Sequence, residues 1–467
     1  MNHEGFKGYT MRRLLESLDI DSGTFSGEQL NREIAGVSTD TRSLKAGDVF
    51  FALRGERFDG ADFVGRALDA GALLAVVNAD SLNKELKPPI TGGNRVVYVK
   101  DTERALGAAA RGYRALFTGR VVCVTGTTGK TTVKEMIRVV LARRYSVHWT
   151  KGNLNNQIGL PLSVFGLEDR HDCAVFELGM SATGEIAYLA GIARPDIGVV
   201  LNVGPAHMAF FTNIDQIADA KTELLESLGE GGTAVVNGDD EMIRARESRC
   251  RGRIVRFGVD SPCEYRAEFI TLHPDGCASF EVEGNRITLG VPGYHNVYNA
   301  LAAYAVGRIM DVAGEDAAHA LGEVAAPSMR LERFERDGIL YINDSYNANP
   351  LSMKAAADVL KHTEAKPGGR KIAVLGDMLE LGSISERAHR DVGALFGSLG
   401  LDLLCVVGES AGLYAEGAIE GGMDRRAVRR FHTVEEARTF TEQIQQPGDV
   451  VFVKGSRALG MERIIAG

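Results

Sequence analysis

The stretch Val121-Val122-Cys123-Val124-Thr125-Gly126-Thr127-Thr128-Gly129-Lys130-Thr131-Thr132 decides how the chain is read. Its four leading apolar residues predict a buried strand. Beyond the turn, Val133, Met136, Ile137, Val140 and Leu141 recur at i, i+3, i+4, i+7 and i+8, the single apolar face of a helix. Strand, glycine-rich turn, Gly-Lys-Thr and helix, in that order, are the context of a phosphate-binding loop. The glycines let backbone N–H groups point at an anion, and the helix N-terminus adds partial positive charge. Lys130 is placed to reach β- and γ-phosphates, and the Thr131 hydroxyl to ligate Mg²⁺. The loop is shorter than the common pattern, because Val124 stands where that pattern has its first glycine. A glycine-rich turn with an incidental lysine is the plain alternative.

Working outward, the chain separates into three blocks, at 1–110, 111–324 and 325–467. The first holds the β-like runs Val49–Leu53, Leu73–Val77 and Val96–Val99, and a loop over Leu82–Asn94 signalled by Pro88-Pro89 and Gly92-Gly93. A helix is predicted over Thr102–Phe117. In the second block, strands at Ala174–Leu178, Ile197–Leu201 and Ala234–Val236 alternate with helices, which implies a parallel sheet. From Ile254 to Gly290 short β-like runs suggest a small antiparallel addition. In the third, Ile372–Leu375, Leu403–Val407 and Val450–Val453 run into Gly376, Gly408 and, after Lys454, Gly455. Strand-then-glycine three times over suggests a doubly wound sheet with ligand loops at its carboxyl ends. The expected fold class is α/β with three domains: a smaller mixed N-terminal domain, a central P-loop parallel-sheet domain and a C-terminal Rossmann-like domain.

Composition is consistent with this. The 467 residues are 45% hydrophobic and 25% charged, an ordinary globular mix. Glycine is in excess at 55 residues, as tight turns at strand ends require. A net charge of −9 argues against a general nucleic-acid binder, which needs a basic face; it leaves local phosphate cradles untouched. The six cysteines show no CxxC spacing and three sit in apolar runs, the pattern of packed thiols in a reducing compartment. The first ten residues carry no apolar core and no run of 18 apolar residues occurs, so neither a secretory signal nor a membrane span is expected. The expected location is the cytoplasm.

Gly126-Thr127-Thr128-Gly129-Lys130-Thr131 resembles the ATP site of the Mur ligases and the related folylpolyglutamate synthetases, three-domain ATP-dependent amide ligases. Other segments are similar in the same order: Asn153–Pro161, Glu177–Met180, Asn202–His207, Ala220–Glu223, His295–Ala300, Ser328–Glu332 and Asp344–Pro350. Val37–Arg42 with Phe58–Gly60 resembles the N-terminal domain shared by the diamino-acid-adding and dipeptide-adding Mur ligases, and Asp344–Pro350 and Leu375–Gly382 resemble the dipeptide-adding ones in particular. The Asp-Asn-Pro-Arg box of the diamino-acid-adding members is not found. The resemblance implies that D-alanyl-D-alanine is joined to UDP-N-acetylmuramoyl-tripeptide through an acyl phosphate, with ATP and two Mg²⁺. It implies no nucleic-acid partner, and no feature demands a second subunit, so a monomer is expected. A diamino-acid-adding or folate-type ligase on the same scaffold is one alternative. A P-loop switch that merely holds nucleotide is another, of a different class.

The resemblance also assigns residues. Thr125, Gly126, Thr127, Thr128, Gly129, Lys130, Thr131 and Thr132 would cradle the phosphates, with Asn155 beside them. Glu177, at a strand end, would ligate Mg²⁺; by position alone it is equally a solvated loop glutamate. His207 would ligate a second Mg²⁺, an unusual choice for an oxygen-seeking ion. Lys221, otherwise a surface cation on a helix, would be carbamylated and turned into an anionic Mg²⁺ ligand. Asn296 and Asn299 would lie near adenine, although either could simply open the helix Tyr298–Val306. Arg330 would reach the phosphates and Asp344 the ribose. Ser38, Asp40 and Arg42 alternate, so on a strand they would share one face; with Asp59 and Gly60 they would meet the uridine-diphosphate end. Asn347, Asn349 and Asp377 would line the dipeptide site.

Overall fold

The structure is a computed structural model and describes residues 8–55, 58–81, 95–206 and 208–466. The predicted loop at Leu82–Asn94 and the candidate ligand His207 lie outside the described residues.

Among the described residues four sheets are formed. The first is wholly parallel, β1 (Gly36–Ser38), β2 (Asp48–Phe51), β3 (Leu74–Asn78) and β4 (Val96–Val99), in that order. The central sheet has seven parallel strands: β5 (Arg120–Thr125), β6 (Val147–Trp149), β7 (Cys173–Glu177), β8 (Ile197–Val200), β9 (Thr233–Asn237), β10 (Arg253–Gly258) and β11 (Tyr265–Arg266), ordered β11-β10-β9-β8-β5-β7-β6. Chain order reverses at β5, so the loops after β5, β7 and β8 open side by side at a topological switch point. An antiparallel sheet, β12 (Glu268–Leu272), β13 (Cys277–Val282) and β14 (Asn285–Pro292), follows. The last sheet is ordered β15-β16-β20-β17-β18-β19, with strands Glu332–Arg336, Ile339–Asp344, Lys371–Gly376, Leu403–Val407, Val428–Phe431 and Val450–Lys454 for β15 to β20. It is parallel except for the edge strand β15.

Strands buried on both faces explain the unbroken apolar runs. Along β5, Val121 and Cys123 join a core with the helices Thr102–Arg114 and Glu185–Ala193; Val122 and Val124 face the helices Lys130–Leu141 and His295–Ile309. The first of these cores also takes in Val49, Leu74 and Val76 of the N-terminal sheet. The C-terminal sheet is covered on both faces in the same way, by residues from Leu331 onward.

Four expectations are corrected. The run from Ile254 is antiparallel only in part, since β10 and β11 extend the parallel sheet. The helix predicted over Thr102–Phe117 ends at Arg114. The helix at His295–Ile309 starts before both asparagines, so neither Asn296 nor Asn299 is a cap. Ser38, Asp40 and Arg42 do not share a strand face: β1 stops at Ser38, and the Arg42 N–H donates to Asp40 Oδ1 at 2.9 Å to close a turn. No described helix is long and apolar enough to cross a membrane, and no two of the six cysteines are bonded.

Candidate active site

Gly129 begins the helix Lys130–Leu141 with φ +83°, a conformation that excludes most side chains. A Cβ there would also stand 2.5 Å from Asn299 Oδ1, so the position needs glycine on two counts. The loop is latched to the β8 end. Thr128 N–H donates to Asn202 Oδ1 (2.9 Å), Thr127 N–H to the Asn202 carbonyl (3.0 Å) and Gly204 N–H to Thr127 Oγ1 (2.9 Å). Thr125 lies deeper, its hydroxyl donating to the Leu178 carbonyl. Lys130 Nζ donates to the Gly126 carbonyl at 2.8 Å. Burial lowers the pKa of that ammonium, Glu177 opposes the shift and Arg330 adds to it.

A cavity of about 430 Å³ opens over this loop, lined by Thr127 to Thr132, Asn155, Glu177 and Lys221 on one side. Arg330, Asp344, Tyr346, Asn347, Asn349 and Lys454 of the C-terminal domain line the other. Glu177 is 2% exposed and bracketed. Thr131 Oγ1 donates to its Oε2 (2.9 Å) and Asn155 Nδ2 to its Oε1 (2.8 Å). The solvated-glutamate alternative is thereby removed. The Asn155-Asn156 pair is split: Asn156 Oδ1 accepts the Gly159 N–H (2.8 Å) and shapes the turn. Asn296 and Asn299 form a buried relay, in which Asn299 Nδ2 donates to Asn296 Oδ1 and Asn296 Nδ2 to the Pro292 carbonyl, both at 2.7 Å.

Lys221 is no surface cation. It is 2% exposed on the helix Ile214–Glu226, and among the described residues no group bonds to its amine. Burial, and then the Lys130 charge, hold its pKa well below the usual lysine value. The neutral amine this favours is the form that reacts with CO₂.

Across the cavity, Arg330 stacks on Tyr346, its guanidinium carbon 3.9 Å from the ring centroid. It sits between two residues in the left-handed region, Met329 (φ +57°) and Leu331 (φ +54°). Strain of that kind persists where surrounding bonds hold it; here Leu331 N–H donates to Asp344 Oδ1 (3.1 Å) and Tyr346 N–H to the Met329 carbonyl (3.1 Å). The other Asp344 oxygen takes a bond from Lys454 Nζ at 2.5 Å, and the same ammonium donates to the Asn347 carbonyl at 3.0 Å. Lys454 has no role assigned by sequence; a lysine ending an apolar strand beside a glycine is its signal. His295 also lines the cavity; burial, with Lys454 nearby, pushes its pKa down to about 4.

Several predicted residues lie elsewhere. Asp377 does not line this cavity; its carboxylate is turned to the Glu409 and Ser410 N–H groups (2.9 and 3.1 Å). Asn349 reaches the cavity wall but caps the helix Pro350–His362, accepting the Ser352 N–H. Ser38 lines a second cavity of about 360 Å³, with Lys45, Asp48, Tyr9, Tyr113 and Phe165. Asp40 and Arg42 are outside it, paired with each other at 2.6 Å. Asp59 and Gly60 form a turn, Asp59 accepting the Ala61 N–H (3.0 Å) and Gly60 packed against the Ala52–Leu53 backbone.

Three family descriptions match the chain: the Mur ligase family catalytic domain at 33–114, the Mur ligase middle domain at 124–307 and the Mur ligase glutamate ligase domain at 329–457. The chain belongs to the Mur ligase family. It is 37% identical to the UDP-N-acetylmuramoyl-tripeptide–D-alanyl-D-alanine ligase of Bacillus subtilis over 96% of each chain. Among solved structures, this Mur ligase is similar to MurF of Acinetobacter baumannii (TM-score 0.87, 33% identity, 100% and 99% of the two chains). It is also similar to MurF of Thermotoga maritima solved in complex with ADP (TM-score 0.77, 29% identity, 92% and 96%).

Proposed function

We propose that this Mur ligase uses ATP to join D-alanyl-D-alanine to UDP-N-acetylmuramoyl-tripeptide, the last cytoplasmic step in building the pentapeptide precursor of peptidoglycan. One observation carries the reading: a phosphate loop and a second domain's polar residues wall a single cavity, so phosphoryl donor and acceptor amine can meet out of water. The relatives named above supply the substrates.

Amide formation from a carboxylate and an amine is uphill in water. The tripeptide carboxylate attacks the γ-phosphorus of ATP, ADP leaves, and an acyl phosphate forms. The dipeptide amine then attacks the acyl carbon and phosphate departs. The first step brings two anions together, which the Lys130 ammonium and the loop N–H groups offset. Arg330 adds a cation from the other wall. Asp344 would hold the ribose and the Asn296–Asn299 relay would meet adenine. The C-terminal wall keeps water from a hydrolysable intermediate. Ser38 and its cavity would take the uridine-diphosphate end; Asp40, Arg42, Asp59 and Gly60, which do not line that cavity, would serve the same end by resemblance alone. Asn347 and Asn349 would meet the dipeptide; Asp377 would act only by holding the turn at Glu409–Ser410. Boundaries near 110 and 324 and a monomeric state belong to the same proposal.

The donor set suits magnesium. Thr131 and Glu177 offer oxygens, which a hard cation prefers, and Lys221 fits once carbamylated, when its tip is anionic and relieves the repulsion from Lys130. These groups, with His207 by resemblance, would hold the ions. Bound there, magnesium supplies charge neutralisation on the transferring phosphoryl group.

The test is phosphate release from ATP and UDP-N-acetylmuramoyl-tripeptide with and without D-alanyl-D-alanine. Release that needs the dipeptide is expected. Release that needs a single amino acid, or folate and glutamate, would assign another ligase; release indifferent to any amine would assign a nucleotide switch. For Lys221, Lys221→Ala should be inactive and partly restored by short carboxylic acids; a fully active variant without them refutes carbamylation.

A further inference from the structure

One turn beyond Lys130 on the same helix, Lys134 is 1% exposed and takes no part in the chemistry above. A buried ammonium is costly unless bonded, and an apolar side chain of similar size would fill the space at less cost. Its bonds therefore call for a reason. Nζ donates to the Thr150 carbonyl at 2.8 Å and stands 3.1 Å from a Glu135 carboxylate oxygen. Thr150, fully buried just after β6, accepts the Glu177 N–H on its hydroxyl at 3.1 Å. Five residues on, Asn155 donates to Glu177 Oε1. The helix Lys130–Leu141 thus holds Glu177 twice. Thr131 bonds the carboxylate directly, and Lys134 anchors the start of the segment 150–155 that fixes its backbone and its second oxygen.

We propose that Lys134 is a positioning residue for the Glu177 metal site, holding the Glu177 backbone and one carboxylate oxygen in place without touching substrate; this rests on reading Glu177 as a magnesium ligand. Supports behind a ligand commonly set metal affinity about 10- to 100-fold. The chain carries its own reporter of this seam. Its single tryptophan, Trp149, precedes Thr150 and meets both the Arg138 guanidinium (4.9 Å from the ring centroid) and the Lys151 ammonium (4.5 Å).

The full-length enzyme is titrated with magnesium in the presence of a non-hydrolysable ATP analogue, reading analogue affinity by calorimetry. Acrylamide quenching of Trp149 is measured without ligand. For Lys134→Met the half-saturating magnesium concentration should rise about tenfold, analogue affinity without magnesium should hold, and quenching should increase. Thr150→Val should shift the magnesium requirement in the same direction. Glu177→Gln is the reference. If it leaves the requirement unchanged, the ligand reading fails. If it shifts the requirement while folded Lys134→Met does not, the positioning role alone is overturned. Equal losses of metal-free analogue affinity and magnesium affinity in Lys134→Met also overturn it, as general loosening. Should Lys134→Met not fold, an unchanged magnesium requirement in Thr150→Val overturns the proposal.

Discussion

At the scale of single residues, the pair Lys454–Asp344 carries the most weight per atom. Lys454 is 2% and Asp344 9% exposed, so removing one partner strands a buried charge, a loss of about 3–5 kcal/mol in comparable pairs. Lys454→Met should lower the thermal midpoint by several degrees and raise the dipeptide KM, because the Asn347 carbonyl loses its donor. Combining it with Asp344→Asn should restore more than half of the stability; a double variant as unstable as the sum of both would contradict the pairing. His295 makes a pH prediction. Its pKa falls from 6.5 to about 4 on folding, so between those values the unfolded chain binds more protons than the native one. Stability therefore rises with pH through that window and is insensitive to this group above it. His295→Gln should flatten the loss of unfolding free energy between pH 6.5 and 4 by about 3 kcal/mol at most, seen as a smaller fall in melting temperature. Midpoints that fall in parallel for both proteins would contradict it.

At the scale of elements, the cap at Asn349 separates two roles that sequence alone could not. Its side chain accepts the Ser352 N–H while Ser352 Oγ accepts the Asn349 N–H, a closed pair at the start of Pro350–His362. Asn349→Ala should cost about 1 kcal/mol of stability, measured by denaturant unfolding, while Asn349→Ser or Asn349→Asp keeps most of it. Equal stability of all three would make the residue a contact to substrate alone. The strand, glycine turn and helix over 120–141 were legible because glycine spacing and apolar periodicity are local signals, and β5, β7 and β8 ended where apolar runs ended. Asp40 and Arg42 misled because alternation implies a shared face only while a strand continues, and a carboxylate that closes a turn leaves no mark in spacing. Lys454 and Asn202 act through partners more than 70 positions away, Asp344 and Thr128, which no local pattern reveals. Lys134 was hidden among ordinary helix residues, since burial of a lysine is a tertiary property.

At the scale of the whole molecule, the cores are distributed unevenly. One core joins the N-terminal sheet to the central domain, from Tyr9 and Leu14 through Val76 to Phe176 and Leu224. The C-terminal sheet keeps its cores to itself. Scanning calorimetry should therefore show two transitions, one for residues up to about 324 and one for the remainder, with a nucleotide analogue drawing them together. A single transition with equal calorimetric and van't Hoff enthalpies would show the domains to be one cooperative unit. The same partition places the Ser38 cavity within the unit that shares a core and the Lys454–Asp344 pair on the separate one.

The crossing at Gly129 has a further consequence. The helix that begins the phosphate cradle and the helix bearing Asn299 meet so closely there that one added carbon would collide. Under the assignment proposed above, with phosphates at the loop and the base beside Asn299, that contact would work as a ruler, setting how far apart the two ends of the nucleotide lie. Tripolyphosphate, lacking a base, would engage one end of the ruler only, and a purine nucleoside without phosphates only the other.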